Sequence, residues 1–249
     1  MKNDRPLNLD HRMTVLPSGS LEITNVNYPD RGRYICMSAA DGLVSRAADL
    51  NLKALIANAD PEAPEFLTEP GSESVVAGDD VTLECSANGL PQVSITWLKD
   101  GRELETELLD SRYVRTGSGS LTIRQVRLED EGGYQCRAEN TEDSVDSGVE
   151  LSVTMAPALV KRPTNHLSYE KDDILFDCQV SGRPEPEVRW YKNGDLIIQS
   201  EYFQIVRGTS LKILGLVTSD AGVYQCIATN NLGSVQASAQ LKVKSKGIN

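Results

Sequence analysis

No run of about 18 uninterrupted apolar residues occurs in the chain, so no segment is suited to cross a bilayer as a helix. Histidine is nearly absent: His11 and His166 are the only two, neither stands in a metal-ligand cluster, and neither a metal nor a cofactor is expected. A glycine-rich phosphate loop, a nucleophile elbow and a paired-carboxylate motif are missing outside ordinary strand and turn positions. These absences remove the common routes to catalysis, and the chain is expected not to be an enzyme. None of the thirteen asparagines opens an Asn-x-Ser/Thr glycan acceptor. Behind Met1-Lys2-Asn3-Asp4-Arg5 no apolar segment follows and no signal peptide is read; either the protein is cytosolic or the sequence lacks its true beginning.

What is present suits short strands. Aromatics make up 5% of the 249 residues and apolar residues 39%, with 19 glycines and 11 prolines, which points to an all-β protein of two or three small cores. The net charge of −11 is unevenly spread. Lys+Arg against Asp+Glu is 7 and 7 over residues 1–60, 7 and 20 over 61–155, and 11 and 9 over 156–249, so the middle region alone carries −13. Such a field disfavours nucleic acid and anionic lipid. It is either a solvated surface that keeps the region soluble or a means of steering a basic partner.

One pattern occurs three times and decides for three modules. Asp-x-Gly-x-Tyr-x-Cys stands at Asp30–Cys36, Asp130–Cys136 and Asp220–Cys226. A Leu-x-Ile triplet begins fifteen residues before each cysteine, at Leu21, Leu121 and Leu211. The second and third copies have a further cysteine upstream, Cys85 and Cys178, and twelve residues after it a tryptophan, Trp97 and Trp190. In Val81-Thr82-Leu83-Glu84-Cys85 the apolar residues alternate with polar ones at period two, as in a half-buried strand, and Ile174, Phe176 and Cys178 repeat this. The Gly-Ser-Gly-Ser run at 117–120 reads as a turn into the Leu121 strand.

This framework resembles the immunoglobulin superfamily, more narrowly its I-set, and implies tandem two-sheet β-sandwiches. The resemblance implies disulfides Cys85–Cys136 and Cys178–Cys226 between strands B and F, with Trp97 and Trp190 packed on them from strand C. Each bridge would close a loop of about 50 residues, worth roughly 4 kcal/mol by chain entropy; the alternative is reduced core thiols, as in intracellular sandwiches. Tyr34, Tyr134 and Tyr224 fall where the family's tyrosine corner bonds its hydroxyl to nearby backbone. The modules are expected at 1–55, 62–155 and 156–245. The link Ala54–Pro64 shows no strand pattern and could bend, whereas the strand Val149–Val153 runs almost directly into the third module, which suggests a stiff, extended junction there.

The first copy has Cys36 but neither an upstream cysteine nor a tryptophan. Lys2-Asn3-Asp4 lies 19 residues before Leu21, as Lys192-Asn193-Gly194 does before Leu211, so strands A, B and most of C are expected to be missing. Val15, Leu21, Ile23, Val26, Tyr34 and Leu50 would then be uncovered and the module unstable alone. Cys36 is unpaired in this reading. The front is either a partial gene product or a short isoform in which Cys36 pairs between chains.

In the third module Tyr202-Phe203-Gln204-Ile205-Val206, Leu211–Leu216, Tyr224–Ala228 and Ala237–Leu241 are similar to the fourth immunoglobulin domain of the netrin receptor family, which comprises deleted in colorectal cancer, neogenin and frazzled. Val15–Leu21 resembles the second domain of that family, which would make the chain the back of domain two, then three and four. The resemblance implies a segment of a single-pass cell-surface receptor for guidance cues, on the extracellular side of the membrane, whose four-domain head can fold back as a horseshoe. Its partners would be a protein ligand or another immunoglobulin domain, met homophilically or heterophilically. A competing reading is an intracellular sarcomeric or cytoskeletal repeat acting as a spacer. Arg183, Arg189, Lys192, Lys242 and Lys244 are either a contact for a sulfated glycan or acidic protein surface, or scattered solvated charge.

Overall fold

A computed structural model describes residues 1–38, 44–51, 60–104 and 111–245. The first copy of the repeat supplies β1 (Met13–Val15), β2 (Leu21–Ile23), β3 (Gly32–Met37) and β4 (Val44–Leu50). The second supplies β5 (Glu62–Thr68), β6 (Glu73–Val76), β7 (Val81–Leu83), β8 (Ser86–Leu90), β9 (Ser94–Lys99), β10 (Arg102–Glu103), β11 (Tyr113–Thr116), β12 (Ser120–Ile123), β13 (Gly132–Glu139) and β14 (Ser144–Lys161). The third supplies β15 (His166–Tyr169), β16 (Ile174–Phe176), β17 (Gln179–Arg183), β18 (Glu187–Lys192), β19 (Asp195–Leu196), β20 (Phe203–Val206), β21 (Ser210–Ile213), β22 (Gly222–Asn230) and β23 (Gly233–Lys244). Among the described residues the helical elements are three single 3-10 turns, Tyr28–Asp30, Leu128–Asp130 and Thr218–Asp220, each leading into the strand that carries the second cysteine.

The chain divides into two compact units, Met1–Ser152 and Val153–Asn249. In the first unit β10-β9-β13-β14 form one sheet, with β6 also on β14, and β11-β12-β7 form the facing sheet. Leu121 lies opposite Leu83 and Ile123 opposite Val81, so the period-two apolar residues of two strands meet on one face. On the other face the Thr82 and Thr122 hydroxyls bond each other at 2.8 Å. Cys85 and Cys136 are bonded, with Cα atoms 6.6 Å apart. Trp97, Tyr134, Leu151 and both cysteines are fully buried around the bridge, and the indole Nε1 donates to Gly119 O at 2.7 Å.

The second unit repeats this plan on its own strands: β15-β23-β22-β18-β19 face β16-β21-β20, and the last residues of β14 pair β17. Cys178 and Cys226 are bonded, with Cα atoms 6.7 Å apart. Phe176 stacks on Tyr224 at 4.9 Å and lies 5.9 Å from Trp190, and Leu211, Ile213, Leu216 and Leu241 close the core. The sulfur pairs and alternating strands are as the family resemblance implies.

Two expectations about links meet the structure differently. Residues 52–59 lie outside the described residues. Glu62, Ala63 and Pro64, read in the sequence as part of that link, belong to β5, because Pro64 is buried and the strand pairs β8. A proline at this sheet edge leaves no ladder donor unsatisfied. Val149–Val153 and the residues after it form the single strand β14.

The first copy consists, among the described residues, of two ribbons, β1 with β2 and β3 with β4. Lys2 bridges Tyr34 in the register that places Lys99 opposite Tyr134 and Lys192 opposite Tyr224. Between the ribbons lies an open groove of about 740 Å³ lined by Leu9, Val15, Leu21, Ile23, Tyr34 and Cys36, among others.

Candidate functional site

Each strand carrying the second cysteine is held by one corner built three times. The Tyr34, Tyr134 and Tyr224 hydroxyls donate to the carbonyls of Asp30, Asp130 and Asp220 at 2.5, 2.7 and 2.9 Å. The aspartate side chain in turn accepts the backbone N–H three residues earlier, at 2.8, 2.7 and 2.8 Å. Arg12 and Arg112 pair with Asp30 and Asp130 at 2.7 and 2.6 Å. In the third module Tyr202 stands at the arginine's place, nine residues before the Leu-x-Ile triplet, and its hydroxyl bonds the Asp220 carboxylate.

These contacts set the ionisation of the corner. The Arg12 hydrogen bond, aided by the Asn27 N–H, draws the Asp30 carboxyl down to about 2. Burial opposes ionisation of Asp130, yet Arg112 and the Tyr113 hydroxyl together hold it below the ordinary carboxylate value. Tyr113 is pushed up to about 12 by burial and by its bond to Asp130. Burial likewise raises Tyr134 and Tyr224, which stay neutral donors. The corner is structural chemistry and presents no nucleophile. Among the described residues no group of His, Cys, Asp or Glu could hold a metal ion.

The five cations singled out in the sequence do not converge. Lys192 Nζ donates to Ser219 O at 2.7 Å, lies 3.7 Å from Asp220 and sits over the Tyr224 ring. Lys99 and Lys2 repeat this arrangement on Glu129 O and Pro29 O, each over its own tyrosine. The lysine is thus part of the corner, and its recurrence at the same repeat position is the signal that could have shown it. Arg189 is paired with Glu187 at 2.9 Å. Arg183 ends β17, opposite Met155. Lys242 and Lys244 are exposed on β23 beside Leu167 and Tyr169. Six residues of strand, about 20 Å, separate Lys242 from Gln236, the β23 residue in line with Arg189 through Ile227.

A different surface emerges on the outer side of β18, β22 and β23. Trp190, Cys226 and Ala237 point inward, so Arg189, Ile227 and Gln236 form one outward row and Tyr191, Gln225 and Ser238 the next. Val223 and Leu196 are 46% and 52% exposed beside them. Gln225 donates to Gln236 at 2.7 Å. Arg189 and Glu187 are exposed and paired so that their charges cancel, while Tyr191, Gln225, Ile227, Gln236 and Ser238 carry none, so this patch has no net charge and is partly apolar, a composition suited to contact with protein. The equivalent face of the middle module carries the exposed Arg137–Asp146 pair and Glu150 instead.

Sequence reasoning missed Asn140 and Asn230, each four residues after the second cysteine. Asn140 Nδ2 donates to Glu62 O and Pro91 O at 2.8 and 3.1 Å. Asn230 Nδ2 donates to Met155 O and Pro184 O, both at 2.9 Å. Their recurrence at one repeat position was the available signal.

Comparison with known proteins agrees with this geometry. Residues 63–140 match the immunoglobulin domain model and residues 157–243 the immunoglobulin I-set domain model. Neogenin of Homo sapiens is 43% identical over 243 residues, covering 96% of this chain and 16% of the relative. Netrin receptor DCC of Homo sapiens is 40% identical over 246 residues, covering 98% of this chain and 17% of the relative. The chain therefore spans about a sixth of the length of these relatives. Among solved structures, the N-terminal four immunoglobulin domains of Dscam1 isoform 7.44 are similar with a TM-score of 0.72 at 28% identity, over 94% of this chain and 60% of that one. The chain belongs to the immunoglobulin superfamily, as a homologue of neogenin and netrin receptor DCC across nearly all of its length.

Proposed function

We propose that the chain is a non-catalytic binding segment of a cell-surface guidance or adhesion receptor ectodomain, and that it contacts protein through the outer face of β18, β22 and β23. The observation that carries this reading is a partly apolar patch without net charge, the rows Arg189–Ile227–Gln236 and Tyr191–Gln225–Ser238 with Arg189 paired to Glu187, in a chain of net charge −11. Homology to neogenin and netrin receptor DCC supports the receptor setting. It does not favour the intracellular spacer reading. Of Arg183, Arg189, Lys192, Lys242 and Lys244, Arg189 is paired with Glu187 and Lys192 is held by Asp220 and the Ser219 carbonyl, which favours a protein over a sulfated glycan. The ligand is a netrin-type cue or another immunoglobulin module.

The test is co-aggregation of beads coated with the whole chain, either with each other or with netrin-coated beads. Aggregation in one arm is expected, with a loss of at least about tenfold in Val223→Arg and Ile227→Arg, because a charge would be desolvated at the contact. Glu142→Lys, on an exposed turn of the middle module, is expected to leave it unchanged. Aggregation indifferent to both face substitutions, or absent in both arms, contradicts the proposal.

A further inference from the structure

Within the unit Met1–Ser152, the first and second modules touch through two reciprocal contacts. Ser18 N–H donates to Glu84 Oε1 at 2.8 Å. In the other direction Ser118 N–H donates to Glu22 Oε2 at 2.8 Å, and its hydroxyl also bonds the Glu22 carboxylate. Ser18 and Ser118 occupy the same position of the repeat, the turn before the Leu-x-Ile strand, so each module offers a turn and takes the other's with a carboxylate.

The repeat shows that these carboxylates are peculiar to the contact. At the position of Glu22 the second and third modules carry Thr122 and Lys212. Thr122 bonds Thr82 and Thr116, and Lys212 lies near Asp173, all inside their own modules. At the position of Glu84 the third module carries Asp177, which is satisfied internally by Lys161 and Ser210. The turn is also shaped for close approach: Gly117 has φ +64°, and a Cβ there would run into the Glu22 carboxylate. Leu16 is the one buried apolar residue among the described residues of the first module. It lines a cleft of about 550 Å³ with Leu67, Ala87, Leu90 and Ile95 of the second module.

We propose that Glu22 and Glu84 form a two-carboxylate clasp that fixes the first module against the second. The arrangement is then set by side chains as well as by the connecting residues. Both carboxylates are reached by solvent, so each bond alone is modest, and the pair acting together with Leu16 sets the geometry.

The test uses the free thiol of Cys36 and an introduced cysteine, Ser144→Cys, as spin-label sites on the two modules of the whole chain. A single narrow distance distribution is expected for the parent. Glu22→Gln with Glu84→Gln is expected to broaden it and shift it to longer distances. Ser118→Ala, which removes the hydroxyl that bonds Glu22 and leaves both carboxylates in place, is expected to do the same to a smaller extent. A distribution already broad in the parent, or one unmoved by both variants, overturns the clasp.

Discussion

At the residue scale, the corner aspartates are where electrostatics bears on stability. The folded Asp30 carboxyl lies at about 2 and that of Asp130 below its ordinary value, against an unfolded value of about 3.9. A carboxyl depressed on folding stabilises the fold above the unfolded value, and that stabilisation is lost as the pH falls through the folded value. The urea midpoint of the second module, followed by Trp97 fluorescence, is therefore expected to fall as the pH drops below about 4. Arg112→Met should flatten this dependence and destabilise the module at pH 7 by about 3 kcal/mol, the cost of leaving a buried carboxylate without its partner. An unaltered slope in that variant would count against the Arg112–Asp130 pair as its source.

At the element scale, strands are placed by their alternation and locked by side chains that reach across long stretches of sequence. Asn230 joins β22 to carbonyls 75 and 46 residues away, tying the turn after β17 to β14. Asn230→Ala leaves the half-buried Met155 carbonyl and the exposed Pro184 carbonyl short of a donor and should cost the third module about 1 kcal/mol in urea unfolding. Gly233→Ala in the adjacent turn is a poorer probe, since its φ of +150° adds backbone strain of its own. The contrast between Leu211-x-Ile213 and Asn230 explains what was legible in the sequence. Period-two burial, the Cys–Trp spacing and the Asp-x-Gly-x-Tyr-x-Cys turn are local patterns; they located strands, and the family resemblance they carry implied the staples and corners. The bonds of Asn140 and Asn230, the substitution of Tyr202 for arginine, and the capture of Lys192 by Asp220 depend on which carbonyl or carboxylate arrives from a distant strand. Only the comparison of one repeat with the next could have exposed them. The basic face read from Arg183, Arg189, Lys192, Lys242 and Lys244 did not anticipate this, because spacing along a strand does not report ion pairing across it.

At the scale of the whole molecule, the second and third modules and the first differ in what their sheets enclose. Bridged sheets enclose Trp97 or Trp190, whereas the ribbons around Cys36 leave an apolar groove open and that cysteine exposed. Each bridge closes about 50 residues and contributes roughly 4 kcal/mol, a large part of the stability of a domain this size. The receptor reading and the packing of both cores depend on the same covalent links. The measurement that bears on them most directly is a thiol titration of the whole chain, secreted into an oxidising compartment and unfolded without reductant. One reactive thiol per chain, that of Cys36, is the predicted result; five would contradict both bridges and with them the extracellular reading.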